Sequence, residues 1–312
     1  MTGDVDAIGP LPTLAKVQRR EKTQAAGSLL VAIAAVAFST AGLFTRLISV
    51  DVWTMLFWRG LFGGLLILAY IAWRERAGTG AAFTVIGRSG LAITSCSTVA
   101  TICFITALRE TTVADVTVVY ATAPFIAAGI AWAWTRERPR RMTLAASALA
   151  LVGVVVMCGA TRSAGHVLGD LLSLGMTVLM ALMMVVIRKN RHISMLPAAC
   201  LSAFACAIVV LPLSHPAEVT AANLTLLGLF GTTQFGLGLL LLTAGSRRIS
   251  ATRASLLANL ELPFAPLWVW LAFSEVPDQS TYIGGGIVCA AVLLDLVVDQ
   301  MRSHQSAGSL TH

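Results

Sequence analysis

The chain has 312 residues, 57% of them hydrophobic and only 12% charged, with 22 basic against 15 acidic side chains and a net charge of +7. Soluble domains average about 45–50% apolar and about 25% charged residues, so the composition excludes a soluble enzyme or binding module. A bilayer-crossing helix needs roughly 20 apolar residues, and such runs recur along nearly the whole chain without the short alternating pattern of a membrane barrel.

In chain order, residues 1–27 read as a polar cytoplasmic tail containing Pro10, Pro12, Arg19, Arg20 and Lys22. The apolar run from Ser28 exceeds the h-region of a signal peptide and leads straight into further spans, so it reads as a retained first helix. Charged or turn-rich breaks then divide the chain into ten spans, predicted at 28–48, 52–73, 89–108, 111–134, 142–160, 168–188, 195–213, 222–245, 250–273 and 280–299. Residues 301–312 form a second cytoplasmic tail. Spans three and four are separated only by "RETT", and spans eight and nine only by "SRRIS", so tight hairpins are expected and no soluble domain fits between them.

The distribution of basic residues predicts the orientation. When the loops are taken alternately from the N-terminus, 18 of the 22 basic residues fall on one side, leaving Arg46, Arg59, Arg109 and Arg162. Cytoplasmic loops carry the excess of Lys and Arg, so both termini are expected in the cytoplasm. The positive charge is then an orientation signal on an anionic leaflet, and no nucleic-acid partner is implied.

The two halves resemble each other. "YATAPFIAAGIAWAWTRE" at 120–137 aligns with "ANLELPFAPLWVWLAFSE" at 258–275 at an offset of 138, and spans one and six start 140 residues apart. Five spans per copy is an odd number, so the second copy should enter the membrane inverted. The predicted fold is an all-α membrane protein of ten transmembrane helices in two inverted repeats, 28–160 and 168–300. That is a secondary-transporter architecture with a site at the midplane.

Both matched segments resemble the signature of the EamA family of the drug/metabolite transporter superfamily. Its fourth helix in each repeat bears a proline and ends in a Gly-Glu-Arg-like turn before a glycine-rich fifth helix. Here the turns read "TRERP" and "FSEVP", with Arg136 and Ser274 in place of the glycine, and the fifth helices carry Gly153 and Gly284 to Gly286. Arg59 in "FWRGLFGG" matches an arginine common in the family's second helix. The resemblance implies a ten-helix basket around a central cavity, in a family whose members export amino acids and other metabolites or exchange nucleotide-type solutes.

Several residues are costly in lipid. Glu261 falls near the centre of the ninth span, where a charge costs about 2.5–3.5 kcal/mol on insertion scales and such groups face a cavity or a partner. It reads as a substrate ligand or protonation site, or else as a structural acid bonded to a neighbouring helix. Proline removes its own amide and frees the carbonyl four residues back. Pro124 should therefore release the carbonyl of Tyr120, and Pro263 and Pro266 those of Asn259 and Leu262. Kinked fourth and ninth spans lining a wet cavity follow, since unsatisfied backbone at that depth is tolerated only against protein or water.

Polar residues on other spans extend the lining. Thr94, Ser97, Thr98 and Thr101 share one face of span three, Gln234 lies in span eight beside Thr232 and Thr233, and Ser39 and Thr40 lie in span one. Substrate contacts are assigned to Glu261, Asn259, Tyr120, Gln234, Thr98, Thr101 and Ser39. Each hydroxyl could equally bond its own helix or glue helices together. Arg59 could bind an anion, but snorkelling or pairing with Asp51 or Asp115 is preferred. Gly60 and Gly64 form a GxxxG pair suited either to a homodimer or to packing within the chain.

The expected function is secondary transport of a small organic metabolite such as an amino acid across the cell (inner) membrane. A single mid-depth acid among neutral groups suits a zwitterion or an amine better than a polyphosphate, which would want several cations. The alternative, an intramembrane enzyme such as a lipid-linked transferase, needs a base, nucleophile or metal cluster. The spans contain no histidine and no paired mid-depth carboxylates. No cofactor or metal is implied: the six cysteines form no CxxC pair and read as small buried hydrophobes.

Overall fold

A computed structural model describes residues 14–76, 79–84, 87–135, 141–159, 164–189, 195–249, 254, 257–276, 279, 282–288, 290, 291 and 294. In chain order its helices are α1 (Leu14–Ser39), α2 (Ala41–Leu47), α3 (Val52–Glu75), α4 (Thr79–Thr84), α5 (Gly87–Glu110), α6 (Val113–Tyr120), α7 (Ala123–Thr135), α8 (Arg141–Gly159), α9 (Ala164–Lys189), α10 (Met195–Val210), α11 (Ala221–Leu229), α12 (Gly238–Ser246) and α13 (Glu261–Phe273). A π-helical stretch, Phe230–Leu237, joins α11 to α12. Among the described residues, seven helical rods are long and apolar enough to cross a membrane, and they occupy the first four and the sixth to eighth predicted spans. Of the other three, α8 occupies the fifth, α13 the second half of the ninth, and helical residues 282–288 part of the tenth.

The ends of the rods follow local chemistry. Asp51 caps α3 by accepting hydrogen bonds from the amides of Trp53 and Thr54 at 3.0 and 2.9 Å. Burial alone would raise its carboxyl, but the bonds from Thr54 and Trp53 hold it below the usual carboxylate range. Thr112 caps α6 and Thr220 caps α11 in the same way. α1 begins at Leu14, so the backbone helix reaches back into the stretch expected as tail.

Packing follows the small residues. A Cβ on Gly60 would stand 2.6 Å from the Ala203 carbonyl oxygen, and one on Gly64 would meet Phe204 and Ala203. The GxxxG pair therefore seats α3 against α10 within one chain. Gly231 meets the Arg59 carbonyl, Gly63 meets the Gly231 carbonyl, and Gly27 and Gly245 bring spans one and eight together. The central core combines Met55, Leu56, Ile105, Leu108, Phe230 and Val269.

The contacts come in matched sets. Span three packs on span six as span eight packs on span one. Span two packs on span eight as seven packs on three, span one on nine as six on four, and two pairs with seven. Each set becomes the other when five is added to the span number, counted cyclically, so the packing repeats as the sequence does.

Candidate functional site

Among the described residues, turns interrupt three spans: span one at Thr40, between α1 and α2, and spans four and nine. The fourth consists of α6 and α7 separated by a turn at Ala121 and Thr122, and α13 is preceded by a turn at Asn259 and Leu260. The two turns are 138 residues apart, the offset of the sequence match. These are the two spans in which the prolines were expected to disturb the helix. Pro124 is the second residue of α7 and Pro263 the third of α13, positions in a first turn where the missing amide would have no intrahelical partner. Only Pro266 stands in a helix interior. The Asn259 carbonyl is not released either, because the Leu262 amide donates to it at 3.1 Å.

Glu261 is the first residue of α13. A half-helix N-terminus carries partial positive charge and unpaired amides, which gives a physical reason for a carboxylate there rather than one turn later. The side chain is half-buried and forms no hydrogen bond or ion pair with another described residue. α13 packs against α6, whose last residue, Tyr120, lies within electrostatic reach of Glu261. The two breaks therefore bring one acid and one phenol together, each from a different repeat. Asn259 is half-buried in the turn immediately before the acid.

The remaining assigned residues divide. Ser39 is fully buried: its hydroxyl donates to the Val36 carbonyl at 2.7 Å and accepts the Trp268 indole N–H at 2.9 Å. The span-three stripe faces α10, where Thr94 donates to the Ala198 carbonyl, Thr98 donates to the Ser202 carbonyl at 3.2 Å, and the Ser202 hydroxyl donates to Ser97 at 2.9 Å. For Thr94, Ser97 and Thr98 the helix-gluing alternative fits these bonds. Thr101 is half-buried and stands one turn further along.

Gln234 lies in the π-helical stretch and is 2% exposed. Its Oε1 accepts from Nε and one terminal nitrogen of Arg59 at 3.2 and 3.0 Å, and its Nε2 donates to the Phe38 carbonyl at 3.3 Å. Arg59 is 5% exposed, with Phe230 and Phe235 rings 5.1 and 4.8 Å from its guanidinium carbon. The preferred expectation for Arg59 is corrected: it neither snorkels nor pairs with Asp51, which caps its own helix, nor with Asp115, which accepts from Thr111. A planar guanidinium can be held this way between aromatic faces and a neutral acceptor.

A polar clasp at one end of the bundle escaped the sequence reading. Arg46 pairs with Glu275 at 3.0 Å and also donates to the carbonyls of Leu108 and Thr111 at 2.6 and 3.1 Å. Arg109 donates to the carbonyls of Ile48 and Val50 at 2.8 and 2.9 Å. Thr111 donates to Asp115 and Asp170, both at 3.2 Å. The available signal was the glutamate closing "FSE". Ser274 before it has φ +54°, the left-handed backbone that favours glycine, which accounts for the glycine usual in that turn. The equivalent first-repeat residues Arg136 and Glu137 lie outside the described residues.

Comparison with known proteins places these features. The model of the family described as "EamA-like transporter family" matches residues 25–159 and again 167–296. Twenty-four chains of solved structure match. One of them, described only as "Crystal structure of protein", has a TM-score of 0.60 at 17% identity, over 89% of this chain and 98% of that one. At that identity the likeness shows a shared fold. No curated protein matches.

Proposed function

The chain belongs to the EamA-like transporter family and is a multi-pass membrane protein, and from that premise we propose that it carries a small organic solute bearing an amine, such as an amino acid, by alternating access. Under this reading it is an exporter or exchanger of the inner membrane, with both termini cytoplasmic. Its two five-helix repeats are inverted, and a pocket lies between the breaks of spans four and nine. The matched packing of spans and the equal offset of the two breaks support that arrangement.

One observation carries the reading: Glu261 lies at a half-helix N-terminus beside Tyr120, with no hydrogen bond or ion pair to another described residue. An acid so placed, in a span of a membrane protein, is set to receive a cation, because a charge there is retained only against a cavity or a partner. Glu261 would bind the ammonium group, Tyr120 and Asn259 would orient the solute, and Thr101 would line the approach. Ser39, Thr98 and Gln234 would hold the wall through the bonds they make to Trp268, Ser202 and Arg59.

The test is transport in proteoliposomes. Glu261→Gln keeps the shape and removes the charge, so flux of an amine solute should fall by at least about tenfold, the consequence of losing one charge-assisted contact, while expression and monodispersity hold. Wild-type flux in that variant would refute the assignment.

A further inference from the structure

Spans one and nine run alongside each other, and their polar contacts share one register. Arg46 meets Glu275 and Ser39 meets Trp268, each pair 229 residues apart. On span nine, Glu261 and Trp268 lie seven residues apart in α13 and share one face at a two-turn interval, and Glu275 follows seven residues later, beyond the end of α13 at Phe273. On span one the corresponding positions are Ala32, Ser39 and Arg46. The seam therefore has an ion-pair rung at its end and a hydrogen-bond rung two turns deeper. The same offset of 229 counted back from Glu261 falls on Ala32, which has no polar side chain to offer. Between the two rungs, a Cβ on Gly42 would touch Val269 at 3.2 Å and Val113 at 2.7 Å, so the seam is tight where it is zipped.

We propose that this seam is the gate of the carrier: the Arg46–Glu275 and Ser39–Trp268 rungs close the route to Glu261 from the loop end and must part together for the pocket to open there. The inference rests on the transporter reading and adds to it which surface moves. Three features fit a joint that opens. The outer rung is partly solvated, with side chains 23% and 25% exposed, so its charges can be rehydrated as they separate. The inner rung is one neutral hydrogen bond, which water can replace at small net cost. Ser274, with its left-handed backbone next to Glu275, is a strained position of the sort found at switch regions. Arg46 also holds the Leu108 and Thr111 carbonyls of the span three–four hairpin, so releasing Glu275 would leave the arginine anchored on one wall while span nine swings away.

The test is side-specific labelling of Glu261→Cys in membrane vesicles of defined orientation. A membrane-impermeant sulfonated maleimide is the reagent, and modification at position 261 is read by mass spectrometry. With the rungs intact, labelling should come from the side of the chain termini. Adding Glu275→Gln, or separately Trp268→Phe, should raise labelling from the opposite side by roughly threefold to tenfold, the weight of one such contact on a two-state equilibrium. Glu275→Gln keeps the side-chain volume and Trp268→Phe keeps an aromatic ring without the N–H donor, and two rungs tested separately guard against a folding defect in either. Labelling from the terminal side that neither substitution alters would overturn the gate and leave the pocket standing. Labelling from neither side in any variant would remove the pocket, and the gate with it.

Discussion

Arg59 shows how a charge is kept inside an apolar bundle. Its guanidinium is nearly inaccessible, bonded to the neutral Gln234 and set against two phenylalanine rings. A hydrogen bond to a charged group is worth about 1.5–3 kcal/mol, and removing the acceptor leaves the charge unpaired. Gln234→Leu should therefore lower stability by about 2 kcal/mol, measured as a reduced melting temperature of the purified protein in detergent. The double variant Arg59→Met with Gln234→Leu should cost less than the sum of the single changes, because a packed apolar pair leaves no orphaned charge. Strict additivity would mean that the two side chains do not depend on each other. Glu261 presents the opposite case: it lacks such a cradle and sits at a helix start, which is why it is read as functional and Arg59 as structural.

At the scale of elements, close helix approach depends on the missing side chains at Gly60 and Gly231. Gly60→Ala would place a methyl group 2.6 Å from the Ala203 carbonyl oxygen, a backbone atom that cannot rotate away. Overpacking of this kind costs about 1–3 kcal/mol, so the variant should melt several degrees lower and α3 should show faster amide exchange. An unchanged melting temperature would place the α3–α10 contact looser than described. The sequence announced this contact as a GxxxG pair but left open whether it served packing or dimerisation, because a small-residue motif records only that something comes close. The span breaks were half legible. Proline marked the right spans, yet its position alone could not distinguish a kink from a fresh helix start at Glu261. The π-helical stretch at Phe230–Leu237 gave no signal at all, since its residues differ little from those of an ordinary helix.

For the whole molecule, composition and the internal match carried the fold a long way. Apolar runs fix how many times a chain can cross a bilayer, and the 138-residue offset placed the paired breaks. Side-chain partners were less accessible. Ser39 and Trp268, or Arg46 and Glu275, are 229 residues apart, and nothing local in either segment names the other. The polar stripe of span three was visible as a stripe, but whether hydroxyls face water or a neighbouring helix depends on what packs opposite, and α10 packs there. The clasp of Arg46, Arg109 and Thr111 gathers residues from helix ends that the predicted alternation of spans puts on one side, so their company was expected without their bonds.

The most direct measurement is ligand-dependent thermal stability of the purified protein, wild type against Glu261→Gln, across a panel of amine-bearing metabolites and their deaminated counterparts. At 100 times Kd a true ligand adds about 2.7 kcal/mol, so at least one amine should raise the melting temperature of the wild type. The same compound should leave Glu261→Gln unmoved, and its deaminated analogue should move neither. Equal stabilisation of both proteins by the same amine would contradict the placement of the solute at Glu261.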